Sequence, residues 1–332
     1  MRDQRRGRRL AAGLAAALAL GAAAVSPASA DSVQFDYPVK PPAAPDYYAD
    51  IPGTEVTFTA AAGEASYLWS RNMTAVAVSA LAQGDNIGNT FAVRCRYANG
   101  ATLPAGTETG AYWAANLVPP GEAALRPTLR WLFIAPDAGS FTCRLSVTAY
   151  SSIIHSGRQV TMRIPAGAQL ARAVYPSAAR WTLPASGNAV VARGTTASTL
   201  GYTYTASATD RVAIVLDANV STCTAGSPIC GGGTPAYQGS SAETWIEAQP
   251  QRPDGTTCGA PLKSAVGKWT ISDAKHHQAV TNTLYATRAQ LGDCTELRAS
   301  LKVRNTAGNP LNIHAGHASE RISASRGVAF NY

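Results

Sequence analysis

Histidine side chains are the first candidates for chemistry, because four of the five histidines lie in the C-terminal half of the sequence. These four are His276, His277, His314 and His317; the fifth is His155. Imidazole nitrogens and carboxylate oxygens, such as those of the nearby Asp273 and Glu320, are ligands that zinc accepts at about 2.0–2.3 Å. Residues three apart on a strand point to opposite faces, so the pair at 314 and 317 converges only if the chain turns at Gly316. We therefore expect polar surface histidines in loops, no bound metal and no cofactor, and keep a metal site at these four histidines as the alternative.

Motifs of nucleophilic or phosphate chemistry are missing from the sequence. It has no G-x-S-x-G elbow, and Gly231-Gly232-Gly233 is not followed by the helix pattern of a phosphate-binding loop. A Ser-His-Asp triad assembles only in space, so no catalytic residues can be chosen from the sequence. We expect a protein without catalytic activity, with a secreted hydrolase or metal-dependent enzyme as the alternative.

Aromatic residues occur in close pairs that can bind ligands by stacking. These pairs are Tyr67 and Trp69, Tyr112 and Trp113, and Tyr202 and Tyr204. Aromatic rings offer large flat surfaces to a sugar or a peptide. The more common use of such rings is in the core or at its rim, and we expect that here.

Six cysteines are present, and an even number in an exported protein predicts three disulfides. They are Cys95, Cys143, Cys223, Cys230, Cys258 and Cys294. No two form a C-x-x-C pair, which argues against a zinc-thiolate site. We predict the bridges 95–143, joining two buried strands face to face, 223–230, closing a short turn, and 258–294, joining two strand ends.

The N-terminus has the pattern of a cleavable export signal. Residues 1–9 are rich in arginine, residues 10–25 are apolar, and Ala28-Ser29-Ala30 supplies the small residues of a cleavage site. The apolar run is shorter than the ~20 residues of a spanning helix. We predict a signal peptide at 1–30 and a secreted, extracellular protein with no membrane span after cleavage; the sequence leaves the Sec and twin-arginine routes open.

Charge and composition limit the classes of partner that the protein is expected to bind. Removing five Arg and one Asp with the signal leaves 23 basic and 19 acidic residues. The remaining chain has no cluster of five basic residues, which excludes a nucleic-acid footprint. An extracellular protein or a glycan is the expected partner. The Ala-, Arg- and Gly-rich composition favours a bacterial origin.

Apolar and polar residues alternate in several segments, as in strands with one buried face. The clearest segments are 90–97, 141–150 and 297–304. Helical periodicity is scarce, and its best stretch is 166–174. The predicted fold class is all-β: two tandem antiparallel β-sandwich domains, stabilised by disulfides.

A weak repeat supports two units. A shift of 154 residues places Thr90-Phe91 on Thr244-Trp245, and 144–147 on 298–301. Chance matching of strand patterns is the alternative. We predict a Pro-rich tether at 31–53, a first β-sandwich at 54–165, a linker at 166–178 and a second β-sandwich at 179–332.

The segment from Asp137 to Cys143 resembles the D-x-G-x-Y-x-C signature of immunoglobulin-like domains, with Phe141 in place of the tyrosine. The resemblance covers about residues 54–165. It implies a strand whose cysteine faces the core and is bridged across the sandwich to Cys95. Phe141 lacks the hydroxyl of the tyrosine corner.

These features together predict a secreted binding or surface-associated protein. An extracellular structural protein without a ligand is a further alternative. Because a fold does not define a function, the ligand and the oligomeric state stay open.

Overall fold

The computed structural model describes residues 32–40, 48–78, 80–119, 121–153, 159–175, 177–183, 187–207, 210–227, 230–317 and 320–332. The predicted signal peptide, its cleavage junction and His155 lie outside these residues. We call residues 32–175 the N-terminal unit and residues 177–332 the C-terminal unit.

The described residues are almost entirely strands, as the alternating sequence predicted. The N-terminal unit contains β1 (Phe35–Pro38), β2 (Ala49–Asp50), β3 (Val56–Ala60), β4 (Ala65–Arg71), β5 (Ala75–Ala77), β6 (Asn86–Tyr97), β7 (Gly110–Leu117), β8 (Ala124–Leu125), β9 (Arg130–Ile134), β10 (Gly139–Ile153), β11 (Thr161–Ile164) and β12 (Gln169–Val174).

The C-terminal unit contains β13 (Ala178–Thr182), β14 (Ala189–Val191), β15 (Thr196–Thr205), β16 (Val212–Thr222), β17 (Gly239–Gln251), β18 (Leu262–Lys263), β19 (Gly267–Ser272), β20 (His277–Ala286), the helix α1 (Arg288–Leu291), β21 (Glu296–Gly308), β22 (Leu311–His314), β23 (Gly316–His317), β24 (Ile322–Ser323) and β25 (Arg326–Asn331).

In the N-terminal unit, one large sheet covers two smaller ones. The large sheet has the order β2-β10-β6-β7, and β3 also pairs with β10. Facing it are the sheets β1-β11-β5-β8 and β12-β4-β9. The core between these layers includes Phe91, Leu145, Trp131 and Met162, each fully buried.

The C-terminal unit is a sandwich of two sheets. One sheet has the order β13-β25-β16-β22-β14, with β20 also paired to β16, and the other has the order β15-β21-β17-β18, with β19 paired to β17. Its core is a second cluster, with Ile214, Ile246, Leu301 and Ile313 fully buried. The two separate cores agree with a division into two domains, which we retain as our interpretation.

The strand β16 is buried on both faces. Its even-numbered residues face the core of the C-terminal unit, whereas Ala213 and Val215 pack against Tyr67 and Leu132 of the N-terminal unit. The strand β24 also joins the units, because it pairs in parallel with β7. The sheets therefore form consecutive layers in contact.

All three predicted disulfides are confirmed: Cys95–Cys143, Cys223–Cys230 and Cys258–Cys294. The expected placement of the first one is wrong. Cys95 and Cys143 lie directly opposite each other on β6 and β10, which are hydrogen-bonded neighbours in one sheet. The bridge therefore does not cross the sandwich, and the structure supports a β-sandwich without the inter-sheet bridge that the immunoglobulin resemblance implied.

The structure also differs from the expectations for two local segments, the linker and the tether. The stretch 166–174 is not helical, because Gln169–Val174 form β12 and pair along β4 of the N-terminal unit. This strand lies within the predicted linker. Within the predicted tether, β1 and β2 pair with β11 and β10. Tyr37 anchors β1, since its ring is buried and its hydroxyl donates to Asn89 Oδ1 at 2.9 Å.

Candidate functional site

One face of the β16 sheet is turned toward the N-terminal unit and carries the chemistry-bearing side chains. Residues directly opposite on neighbouring strands share a face. The odd-numbered residues of β16 therefore lie on the same face as Thr283 and Tyr285 of β20 and Val328 and Phe330 of β25. Along β16 this face changes from apolar at Ala213, through Asp217, to polar at Ser221.

The apolar end of the face opens into an aromatic cleft of about 350 Å³ between the two units. Its lining residues come from both units and are Tyr67, Trp69, Ser70, Thr128, Arg130, Tyr175, Ala213, Val215, Thr283, Tyr285, Phe330 and Tyr332. We call this space the aromatic cleft. Its volume lies within the usual ~300–1,000 Å³ of small-molecule sites.

A continuous set of stacked rings forms the wall of the aromatic cleft. The rings of Tyr175 and Phe330 are parallel, with centroids 4.1 Å apart, and Tyr67 contacts Phe330 at 5.0 Å and Trp69 at 5.5 Å. Burial raises the pKa of the Tyr67 and Tyr175 hydroxyls, so both stay protonated at neutral pH. These packed rings form a rigid apolar wall.

Two rings at the mouth of the aromatic cleft are open to solvent. Tyr285 is 62% exposed and Tyr332 is 46% exposed. Their centroids lie 5.9 Å apart with the rings nearly perpendicular. Large exposed aromatic rings beside a cleft are available to a ligand, unlike rings that pack in a core.

The middle of the face holds a buried group of charges that joins the units. Arg130 of β9 contacts Asp217 through two nitrogens, one of them Nε at 3.1 Å, and Arg326 Nη2 lies 3.5 Å from the same carboxylate. Burial alone would lower the pKa of Arg130, but the Asp217 charge outweighs it and the pKa is raised. Burial lowers the pKa of Arg326, which still stays charged because guanidinium titrates far above neutral pH. We call these three residues the charge lock.

Arg326 is the most buried member of the charge lock and is 2% exposed. Its Nε donates to the carbonyl of Arg130 at 2.6 Å, and its Nη1 donates to the carbonyl of Tyr112 at 3.1 Å. Arg130 also donates to Thr283 Oγ1 at 2.7 Å. The guanidinium groups are thus satisfied within the protein.

The polar end of the face brings three of the four predicted histidines together. The ring centroids of His276 and His277 are 4.4 Å apart, and those of His277 and His314 are 5.1 Å apart. His277 and His314 are half-buried and lie on strands, so the expectation of loop surface histidines is wrong for them. His317 is exposed and packs on Tyr112 at 5.0 Å, so it does not join the other three histidines.

Burial keeps these imidazoles neutral. It lowers the pKa of His276, lowers that of His277 further, and lowers that of His314 to about 4. His314 Nε2 also shares a hydrogen bond of 2.7 Å with Ser221 Oγ. Among the described residues, only Cys258, Asp293 and Cys294 hold three ligand-type atoms within 4.8 Å of one another, and both cysteines there are in a disulfide. The histidine nitrogens therefore do not meet at one point in this arrangement.

The other predicted aromatic pairs have structural roles. Tyr112 is buried against Ile322, and Trp113 packs on Phe91 at 5.7 Å. Tyr204 is buried and donates to the carbonyl of Ser177, whereas Tyr202 stacks on Trp181. Of the three pairs, only Tyr67 and Trp69 line the aromatic cleft.

Sequence reasoning missed most of the cleft because its residues come from distant strands. Tyr285 stands on an outward position of an alternating strand, and Phe330 and Tyr332 lie about 45 residues further on. Asp217 carried a usable signal, since a single carboxylate within the apolar stretch of β16 indicates a buried ion pair.

Comparisons with known proteins identify no family. No family model matches the chain, and no curated protein matches it in sequence. Solved structures that the chain matches at low similarity include that of Broad Bean Stain Virus, with 10% identity, a TM-score of 0.27 and coverage of 97% of this chain and 94% of that chain. Another is the N-terminal CBM22-1-CBM22-2 tandem domain from Paenibacillus barcinonensis Xyn10C, with 11% identity, a TM-score of 0.22 and coverage of 95% of this chain and 99% of that chain.

The Gt strain of infectious bursal disease virus is a third, with 8% identity, a TM-score of 0.30 and coverage of 89% of this chain and 75% of that chain. Scores of this size do not transfer a function. Within the part of the chain that the structure describes, no helix is long and apolar enough to cross a membrane.

Proposed function

We propose that the protein is an exported, non-catalytic carbohydrate-binding protein whose ligand occupies the aromatic cleft. The observation that carries this proposal is the exposed pair Tyr285 and Tyr332 at the mouth of a cleft with a rigid aromatic wall. Pyranose rings have flat C–H faces and a rim of hydroxyls, which suits an aromatic site with a few polar groups. The Thr128 hydroxyl supplies such a group here, and the Thr283 hydroxyl can donate its hydrogen to a ligand while it accepts from Arg130.

The charge of the cleft favours a neutral sugar. Arg130 is the only charged residue among the described lining residues, and its guanidinium is held by Asp217 and Thr283. An anionic ligand would have to compete with a buried carboxylate for this group, which is costly. We therefore expect uncharged oligosaccharides to bind better than acidic ones.

The lining residues do not support catalysis. Hydrolysis of a glycosidic bond needs a carboxylic acid or another general acid close to the bond that breaks. The described lining contains no Asp, Glu, His or Cys. The carboxylate of the nearby Asp217 is engaged by two guanidinium groups, those of Arg130 and Arg326.

Export is consistent with the three disulfides, since such bonds persist in oxidising compartments. An extracellular location would also place the exposed rings where glycans occur.

Titration calorimetry with cellohexaose, xylohexaose and mannohexaose tests the proposal. At least one oligosaccharide should bind the wild type, and Tyr285→Ala and Tyr332→Ala should each weaken binding about 2- to 13-fold, because losing one stacked ring costs roughly 0.5–1.5 kcal/mol. Tyr237→Ala is the matched control: Tyr237 is 45% exposed but contacts Arg193, outside the lining of the aromatic cleft. The absence of binding to all three sugars, or equal weakening by all three substitutions, would contradict the proposal.

A further inference from the structure

The histidines at the polar end of the β16 face are surrounded by polar atoms that lack partners. His277 lies opposite Ser221 on β16, and His314 lies opposite Asn219 on the other side of the same strand. Residues directly opposite share a face, so these four side chains form one cluster that faces the N-terminal unit. His276 adds a third imidazole beside His277.

Several atoms of this cluster are buried without a hydrogen-bond partner in the described structure. They are Nδ1 of His276, Nδ1 of His277, both side-chain amide atoms of Asn219, and Oδ1 of Asn312. Asn219 is 1% exposed. Buried polar atoms in native proteins are nearly always satisfied, and a group of orphans in one place indicates a water or an ion.

The chain around the cluster is fixed by contacts across the two units. Asn116 Oδ1 accepts from the backbone N–H of His277 at 3.1 Å, and Asn86 Nδ2 donates to the carbonyl of Ala274 at 2.7 Å. Lys275 forms an ion pair with Glu122. The segment that carries His276 and His277 is therefore held in place against the N-terminal unit.

We propose that His276, His277 and His314 bind a divalent transition-metal ion, with Asn219 and Asn312 as outer partners. Three imidazoles are a ligand set suited to zinc, copper or nickel. Their centroid spacings of 4.4 and 5.1 Å bring the rings close enough for nitrogen–metal distances of about 2.0–2.1 Å after rotation. The site shares no residue with the lining of the aromatic cleft and does not depend on the carbohydrate proposal.

Neighbouring charges permit a cation here. The charged residues near His276 and His277 include Asp273, which precedes them in the sequence. They also include the ion pair of Lys275 with Glu122, which has no net charge. Ser221 Oγ can accept the N–H of His314 Nε2, which leaves the lone pair of His314 Nδ1 for a metal, and outer partners orient ligating imidazoles in this way.

Titration of the full, untagged chain with Co²⁺ and Zn²⁺, after treatment with EDTA, tests the site. The wild type should bind one Co²⁺ with the intense visible absorption of low-coordinate cobalt, and Zn²⁺ should displace it. Zn²⁺ should raise the melting temperature, because it binds the folded state preferentially. His277→Gln and His314→Gln should each weaken Zn²⁺ binding at least tenfold.

His317→Ala is the control, because His317 is exposed and stacks on Tyr112 outside the cluster. It should change Zn²⁺ affinity by less than threefold. Melting curves without metal show that the glutamine variants fold. The proposal is overturned if the wild type binds neither ion, which would leave water as the occupant, if binding survives both glutamine substitutions, or if His317→Ala weakens binding as much as they do.

Discussion

Replacing Asp217 with alanine should destabilise the protein far more than the loss of an ion pair at the surface. The Asp217 side chain is 4% exposed and lies between Arg130 and Arg326, whose side chains are 14% and 2% exposed. Its removal leaves two guanidinium groups in a buried position without their carboxylate. Breaking a buried pair in this way costs about 3–5 kcal/mol.

This cost can be measured as a shift of the thermal unfolding midpoint. At about 2–4 °C per kcal/mol for a chain of this order of size, the midpoint should fall by roughly 6 to 20 °C. Differential scanning calorimetry at neutral pH is the assay. Because Arg130 and Asp217 belong to different units, calorimetry should also show whether the variant still unfolds in a single transition.

Asp36→Ala is the matched control for this substitution. Asp36 accepts from two nitrogens of Arg163 at 2.6 and 2.7 Å, but the pair lies at the surface. Exposed pairs contribute little to stability, so the midpoint should hardly change. If Asp217→Ala shifts the midpoint no more than Asp36→Ala does, the inference that the charge lock holds the units together is refuted.

Three further measurements test other parts of the molecule. Burial raises the pKa of Asp50, but hydrogen bonds from Ser146 and Arg144 and the charges of Arg96 and Arg94 lower it more, so its pKa lies below the ordinary value. The stabilisation that follows is present above pH ~4 and should be lost on further acidification, and Asp50→Asn should lose this pH dependence in urea titrations. Replacing Cys95 and Cys143 by alanine should lower the free energy of unfolding by about 4 kcal/mol, and replacing Cys223 and Cys230 by about 2 kcal/mol. The difference arises because the closed loops span 48 and 7 residues and the longer loop loses more chain entropy. Similar urea midpoints for the two variants would contradict this order. Protein recovered from the culture medium should begin at Asp31, which intact-mass analysis would disprove by finding the arginines of residues 1–9 still attached.

Local sequence patterns predicted the strands well, because the alternation of buried and exposed side chains arises within each strand. Apolar and polar residues alternate at 141–150 because a strand there has one buried and one solvent-exposed face, and this segment lies within β10. The disulfide partners were also predictable from strand faces and spacing. The placement of Cys95 and Cys143 in one sheet was not, since alternation defines which face a residue occupies and does not define which strand lies beside it.

The candidate sites were less predictable because they form between the units. Tyr67 and Trp69 were recognised as a possible stacking surface, but Phe330 and Tyr285 come near them only through the packing of β4 and β9 against β16 and β25. The histidines show the same limit. His314 is distant in sequence from His276 and His277. It lies beside them only because β20 and β22 pair with opposite sides of β16.

The pairing of β24 with β7 has a consequence for the order of events during synthesis. Ile322 and Ser323 pair with β7, whose neighbours β6, β10 and β2 all lie between residues 49 and 153, and Arg326 follows soon after to close the charge lock. A chain that emerges from its N-terminus therefore exposes the β7 edge and the apolar patch around Leu132 until nearly all other strands have been made. Unpaired edges of this kind are prone to aggregation. Final assembly must wait for the arrival of residues 322–331, so the growing chain passes through an incompletely covered intermediate.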